Sequence, residues 1–382
     1  MAEAVTDKDE TLTWSGRAVD TAQIEAELAR LRFQAAGEPA GGEGFAIRTS
    51  LLNLVAYAEN EESARQASRT IEVLAGHHPS RALIVIARPA AGDSRIDAQL
   101  AAHCHISASL EQQVCCEEVT LTISGPAAQH LHSIIIPLLV PDLPVYVWWT
   151  GRLPRARHMF EQLIETADKI IVDSASFTGR AGLQRLAQLC PDVAGCPLGD
   201  LNWERLAPWR RVLAQSGEMS GTDTHAEPVS AVAVGYAGSA KGQVPAQTLL
   251  ILGWLATRLG WDTAAAQTPA SGGLIVPAGR QQVSIRVTPE GRGAGAPAGL
   301  VSVQLQGRAG GLAQSVSISR AENPLHLSVV REERGSVLES HALIEMPSQS
   351  EMLMMQLDRE PHDPEYTGAL QKALPLLAAL ST

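Results

Sequence analysis

The chain has 382 residues, 45% hydrophobic and 19% charged, which excludes a disordered polypeptide and points to two globular domains, each able to bury its own core. Its 30 Lys and Arg against 41 Asp and Glu give a net charge of −11. With no long basic tract to reverse it, that charge repels a phosphate backbone and argues against a nucleic-acid partner.

Five cysteines, an odd and sparse set, do not make a secreted disulfide framework and favour a reducing cytoplasm. The opening MAEAVTDKDE is acidic and lacks an apolar core, and residues 134–149 are broken by Pro137, Pro141, Asp142 and Pro144, so neither an export signal nor a membrane span is expected. Residues 1–44 read as a polar tail, a helix and a loop: Asp20 caps a helix whose Ile24, Leu28 and Leu31 recur at spacings of four and three, and AAGEPAGGEG (35–44) follows.

From residue 45 strand-like and helix-like segments alternate. IRTSLLNLVAYA, ALIVIA (82–87), EVTLTIS (118–124), VYVWW (145–149) and KIIVDS (169–174) read as strands. Helices are expected over 60–76, from Pro126 to about Leu139, and over 158–166 and 180–189. Short apolar strands between helices predict an α/β domain over 45–215, with a mostly parallel, Rossmann-like sheet covered by helices on both faces. SGEMSGTDTHAEP (216–228) has linker composition. Beyond it a helix over 245–259 precedes segments of period two: Val283/Ile285/Val287, Val301/Val303/Leu305, Val316/Ile318 and Leu325/Leu327/Val329. With closing helices from Met352 and from Glu365, residues 229–382 read as an α+β domain built on an antiparallel sheet with one wet face, GRGAGAPAG (291–299) being a hairpin loop.

A doubly wound sheet raises the question of a nucleotide, but the chain has no G-x-G-x-x-G, no G-x-x-x-x-G-K-[ST] and no G-x-S-x-G, so no cofactor and no catalytic residues are expected. Six of eleven histidines, His77, His78, His103, His105, His130 and His132, lie near Cys104, Cys115 and Cys116 without metal-ligand spacing, and no metal is expected. Vicinal Cys115 and Cys116, and Cys190 with Cys196 in CPDVAGCP, raise a thiol switch, but neither spacing matches a redox motif. Glu117 and Glu118 open a strand and point to opposite faces, one toward solvent, so they cannot share a proton.

Two segments carry more information. In DLNWERLAPWRRVLAQ (200–215), Asp200 caps a helix bearing Trp203, Arg205, Trp209, Arg210 and Arg211, kinked or restarted at Pro208. Trp and Arg are enriched at binding hot spots, and equally such tryptophans pack a helix on its own sheet. In LLVPDLPVYVWWTGRLPR (138–155), alternation sends Trp148 and Trp149 to opposite faces at the strand's carboxyl end, one into the core and one outward. That edge is where binding crevices form in parallel sheets. Arg152, Arg155 and Arg157, just beyond it, are candidate anion ligands, alternatively a solvated basic turn.

RTSLLNLVAYA, HHPSRALIVIA, CCEEVTLTISG, LLVPDLPVYVWWTG, ADKIIVDSASF and DLNWERLAPWR occur in this order. Together they resemble the OpcA family of bacterial glucose-6-phosphate dehydrogenase assembly proteins, over about 45–215 and more weakly through LLILGWLATRLGW (249–261). The resemblance implies a non-catalytic chain that binds glucose-6-phosphate dehydrogenase, promotes its assembly and activates it allosterically, supporting NADPH production in the oxidative pentose phosphate pathway. Only motif positions carry over: His78-Pro79 with Arg81, Pro141 to Pro144, Trp148-Trp149, and Asp200 to Trp203 with Trp209-Arg210. On this basis Trp148, Trp149, Asp142, Trp203, Arg205, Trp209 and Arg210 are candidate partner contacts, and Arg81 joins Arg152, Arg155 and Arg157 as a candidate anion ligand. Ser80 stands where the family often shows Cys after His-Pro, which weakens a transferred thiol switch. Alternative readings are a sugar-phosphate-binding enzyme or sensor at the carboxyl edge of the N-terminal sheet, and a scaffold whose second domain pairs edge strands with another protein.

Overall fold

The computed structural model describes residues 10–35, 50–107, 112–153, 157–177, 179–189, 197–216, 229–238, 244–290, 298–309, 312–323 and 325–380. The chain divides into two compact units, Met1–Val172 with Gln349–Pro361, and Asp173–Ser348 with His362–Thr382.

The first unit runs β1 (Glu10–Gly16), α1 (Thr21–Ala35), β2 (Leu52–Ala58), α2 (Glu61–Leu74), β3 (Ser80–Arg88), β4 (Arg95–Ser107), β5 (Gln112–Ser124), α3 (Leu131–Ile135), β6 (Val145–Trp149), α4 (Arg157–Ile164) and β7 (Lys169–Val172). These strands lie in the order β1-β4-β5-β3-β2-β6-β7. From β5 to β7 neighbours are parallel, while β4 and β1 add antiparallel strands at one edge. β2 is buried along its whole length, as expected of a strand covered on both faces. Asn60 starts α2 with a capping box: its Oδ1 accepts from the Glu62 and Ser63 amides, and Ser63 Oγ accepts from the Asn60 amide. Ala64, Ala67, Ile71 and Leu74 form the buried face of that helix.

The second unit continues with α5 (Gly179–Leu189), β8 (Leu198–Asp200), α6 (Leu201–Arg205), α7 (Ala207–Gln215), β9 (Ala231–Ala237), α8 (Ala246–Arg258), β10 (Leu274–Ala278), β11 (Gln281–Pro289), β12 (Gly299–Ala309), β13 (Leu312–Arg320), β14 (His326–Glu333) and β15 (Ser336–Leu343). After α9 (Gln349–Asp358), which belongs to the first unit, it closes with α10 (Pro364–Ala379). Its seven-stranded sheet has the order β10-β11-β9-β12-β13-β14-β15, antiparallel except where β11 meets β9. Val232, Val234, Val303, Ile318 and Val329 point to its buried face. α8 crosses α10 so closely at Gly253 that a Cβ there would run into the Ala369 carbonyl.

The α/β and α+β architecture follows the sequence reading, and several details differ. The polar tail contains β1, and residues 95–107 form β4 although their alternation is masked by polar side chains. The helix expected from Pro126 to Leu139 is broken into a 3-10 turn (Gly125–Gln129), α3 and a second 3-10 turn (Ile136–Leu138), because His130 leaves helical geometry at φ −123 and ψ 47 and Pro137 removes a donor. The compact division falls at Val172/Asp173, upstream of the 216–228 segment. Residues 173–216 join the second unit through hydrogen bonds of Asp200, Trp203 and Arg210 to Asp363, Glu365 and Tyr366. Apart from Ser216, that segment lies outside the described residues.

Candidate functional site

Both tryptophans of β6 are core: Trp148 and Trp149 are each 1% exposed. Alternation does send them to opposite faces, but both faces of a parallel sheet are covered, so the expected outward tryptophan does not exist. Trp149 stacks on Tyr57 of β2, centroids 4.0 Å apart and planes at 14°, and its Nε1 donates to the Arg152 carbonyl at 2.8 Å. Just beyond, the Thr150 amide and Oγ1 both donate to the Tyr57 carbonyl, at 3.0 and 2.9 Å. The Arg152 amide donates to Glu59 at 2.6 Å. Gly151, at φ 90, lets that carboxylate approach, since a Cβ would lie 3.0 Å from Glu59 Cδ. The carboxyl edge at β2 and β6 is therefore closed by its own hydrogen bonds.

Of the candidate anion ligands there, Arg152 exposes its side chain, Arg155 lies outside the described residues, and Arg157 opens α4 with its side chain undescribed. Arg81, 1% exposed, is engaged inside the unit. Its Nε meets Glu117 at 2.6 Å, and one Nη meets Glu25 at 2.6 Å and the Leu138 carbonyl at 2.7 Å. Arg32 reaches the other Glu117 oxygen at 2.8 Å. Glu117 and Glu118 are both buried, which corrects the expectation that one faces solvent: Glu117 meets arginines, and Glu118 accepts from Ser68 Oγ at 2.8 and 3.0 Å. The amino edge presents Asp142 in an exposed turn at φ 64, held in place by Asn53, whose Nδ2 donates to the carbonyls of Val140 and Leu143.

The second unit holds the other aromatic cluster. Asp200 caps α6 through the Asn202 amide at 2.9 Å and also accepts from the Ser174 amide at 3.0 Å and the Tyr366 hydroxyl at 3.3 Å. Complete burial, with the nearby charge of Asp173 adding to it, pushes its carboxyl from 3.8 up to about 6 against these hydrogen bonds. Asp173 holds Arg205 bidentately at 2.6 and 2.8 Å. Trp203, fully buried, donates to Asp363 at 3.2 Å, and the Arg210 guanidinium lies 3.4 Å over its ring. Trp209 is 1% exposed. Asn202 and Gln247 extend the network, Gln247 accepting from the Leu300 amide.

These groups fix one another rather than face an opening. Cys116 is buried and burial pushes its thiol up, the opposite of what a reactive thiolate needs. The side chains of His103, Cys104, His105 and Cys115 are not among those described, and Cys190 and Cys196 lie outside the described residues. Among the described residues no group of three His, Cys, Asp or Glu is placed for a metal, and no helix is long and apolar enough to cross a membrane. Sequence reading missed Tyr57, Asn202, Gln247, Asp363 and Tyr366, whose roles depend on contacts between distant segments. Only the Asp200 cap was visible locally.

Residues 71–188 match the family model described as the glucose-6-phosphate dehydrogenase subunit N-terminal domain, and residues 196–370 match that of its C-terminal domain. The chain belongs to the OpcA family. Curated OpcA proteins, whose names assign them provisionally to the OxPP cycle, include one from Synechocystis sp., 33% identical over 230 residues that cover 60% of this chain and 46% of the relative. Another, from Nostoc punctiforme, is 34% identical over 197 residues, 51% of this chain and 41% of the relative. The OpcA-family chain thus matches less than half the length of these relatives. Among solved structures, levoglucosan dehydrogenase in complex with NADH and L-sorbose aligns over 86% of this chain and 96% of its own, at 9% identity and a TM-score of 0.49, too low a likeness to carry any argument.

Proposed function

We propose that this chain is a non-catalytic assembly factor for glucose-6-phosphate dehydrogenase that activates the enzyme allosterically in the cytoplasm and so supports NADPH production in the oxidative pentose phosphate pathway. The observation that carries this reading is the match of both halves to domains described as a glucose-6-phosphate dehydrogenase subunit. The internal engagement of the Trp203 and Arg81 clusters supports it, because their charged groups stabilise the fold instead of meeting a substrate.

A binder activates only by preferring the partner's active state; a tenfold preference corresponds to about 1.4 kcal/mol. Trp148, Trp149, Trp203 and Trp209 would then act from beneath the surface, shaping it, while Asp142 remains a direct contact by its exposure and Arg152, exposed beside Trp149 and an anion-ligand candidate by sequence, joins it. Titrating the purified chain into the dehydrogenase of the same organism should lower KM or raise kcat, and the two proteins should co-elute. Absence of both effects at micromolar concentration refutes the proposal. Asp142→Asn, which removes the charge and tolerates the positive φ, and Arg152→Glu should weaken co-elution while leaving thermal unfolding of the chain unchanged.

A further inference from the structure

A cavity of about 750 Å³ lies on the α2 side of the first unit's sheet, apart from the clusters described above. It exists because the sheet is wider than its helix cover on that side. α1 packs on β1 and β4 from the opposite face, where Arg32 meets Glu117, and α2 packs on β2 and β3. Among the described residues, the strands β1, β4 and β5 therefore present one face with no helix laid across it, walled on one side by Ala64, Arg65 and Ser68 of α2.

Two-residue alternation lines that face with polar groups. Ser15 lies opposite Gln99, and Gln99 opposite Thr120; one step along, Asp97 lies opposite Thr122. Cross-strand neighbours on one face stand about 5 Å apart, so hydroxyl, amide and carboxylate groups form a continuous patch. Glu118 sits at the base, 9% exposed, both its oxygens accepting from Ser68 Oγ. Arg17 and Arg88 stand at the rim, Arg88 steadied by Glu61 at 2.8 Å.

This lining selects a ligand by its chemistry. An apolar molecule would strand the polar groups without partners, which costs more than its burial returns. An anion without hydroxyls would meet Glu61, Asp97 and Glu118 with no donor to offer them. A polyol instead offers groups that both donate and accept, matching carboxylates, an amide and hydroxyls together. The two rim guanidiniums then suit one anionic substituent. We infer that the cavity binds a polyhydroxylated small molecule with a single anionic group, of the sugar-phosphate class, its hydroxyls on Glu118, Gln99, Thr120 and Thr122 and its anion at Arg17 and Arg88.

The inference does not depend on the dehydrogenase reading, because its test uses the isolated full chain. Calorimetry with glucose 6-phosphate, glucose and inorganic phosphate should give saturable binding of the sugar phosphate with Kd below about 1 mM, tighter than either fragment. Glu118→Gln, which removes a charged acceptor, should weaken it by about tenfold or more. Arg17→Ala should abolish the preference for sugar phosphate over free sugar, and Thr120→Val, on a part-exposed position that keeps its volume, should weaken binding with unchanged thermal unfolding. Absence of heat with glucose 6-phosphate up to about 10 mM would overturn the inference. So would inorganic phosphate binding as tightly as the sugar phosphate, or sugar-phosphate binding indifferent to both Arg17→Ala and Thr120→Val.

Discussion

Asp200 is expected to make the second unit more stable in mild acid than at neutral pH, against the usual trend for carboxylates in salt bridges. Its side chain is fully buried, and burial, with the nearby charge of Asp173 adding to it, pushes its carboxyl from 3.8 up to about 6. The folded state thus holds the proton more tightly than the unfolded chain does. The stability this linkage contributes is complete below about pH 4 and disappears as pH rises through about 6. A displacement of roughly 2 pH units corresponds to about 3 kcal/mol between the two limits. Asp200→Asn isolates the effect: its amide oxygen still accepts from the Ser174 and Asn202 amides, and its nitrogen meets the Tyr366 hydroxyl with donor and acceptor exchanged. Urea unfolding of both proteins between about pH 4 and 7.5, followed by tryptophan fluorescence, gives the difference in stability at each pH with the other titrating groups cancelled. The variant's stability relative to wild type should fall by about 2.5 kcal/mol from the top of that range to the bottom, most of the full difference. A difference independent of pH, or a variant that gains on wild type toward acid, would show that the amide donors offset or outweigh desolvation and refute the reasoning.

Arg81→Met should cost about 3–5 kcal/mol in urea unfolding by leaving Glu117 with fewer partners in the core, and adding Glu117→Leu should recover most of it. Trp149→Ala should cost about 3–5 kcal/mol by emptying a core position, which makes it useless as a contact probe. Trp149→Phe keeps the stack on Tyr57 but loses the bond to the Arg152 carbonyl and some volume, so its thermal midpoint should fall by less. Gly253→Ala should destabilise the second unit by about 1–3 kcal/mol, since its methyl group meets the Ala369 carbonyl and α8 must move from α10.

Which parts of this molecule were legible follows from how many of its contacts are local. VYVWW, ALIVIA and KIIV announce buried parallel strands because both their faces are covered and every residue is apolar or nearly so. Glu10–Gly16 and Arg95–Ser107 do not, because Ser15, Asp97 and Gln99 turn polar side chains to the cavity and their runs lack apolar continuity. The Asp200 cap and the helix restart at Pro208, which sits in the first turn of α7, are written within a few residues. The fate of Trp149 is not, since alternation fixes only that it faces away from Trp148; what lies on that side is Tyr57, about ninety residues earlier. Glu117 misled for the same reason: its arginines come from β3 and α1, and nothing near it in sequence marks a buried pair.

Stiffness connects the two aromatic clusters to the proposed role. A protein that activates an enzyme by contact must hold its own surface fixed, because any energy spent deforming that surface is subtracted from its preference for the active state. The tie from Trp149 to the Arg152 carbonyl anchors surface backbone to a large buried ring, and the Arg210 guanidinium over Trp203, with the Asp363 carboxylate at the indole nitrogen, fixes the second ring through side chains. Loss of such an anchor should therefore reduce activation of the dehydrogenase more than it reduces binding, since a softened surface fits active and inactive partners more nearly alike. For Trp149→Phe the assay reads maximal activation at saturation and Kd separately. A rise in Kd with maximal activation unchanged, or a loss of affinity as large as the loss of activation, would mean that Trp149 supports contact area and not selectivity between states.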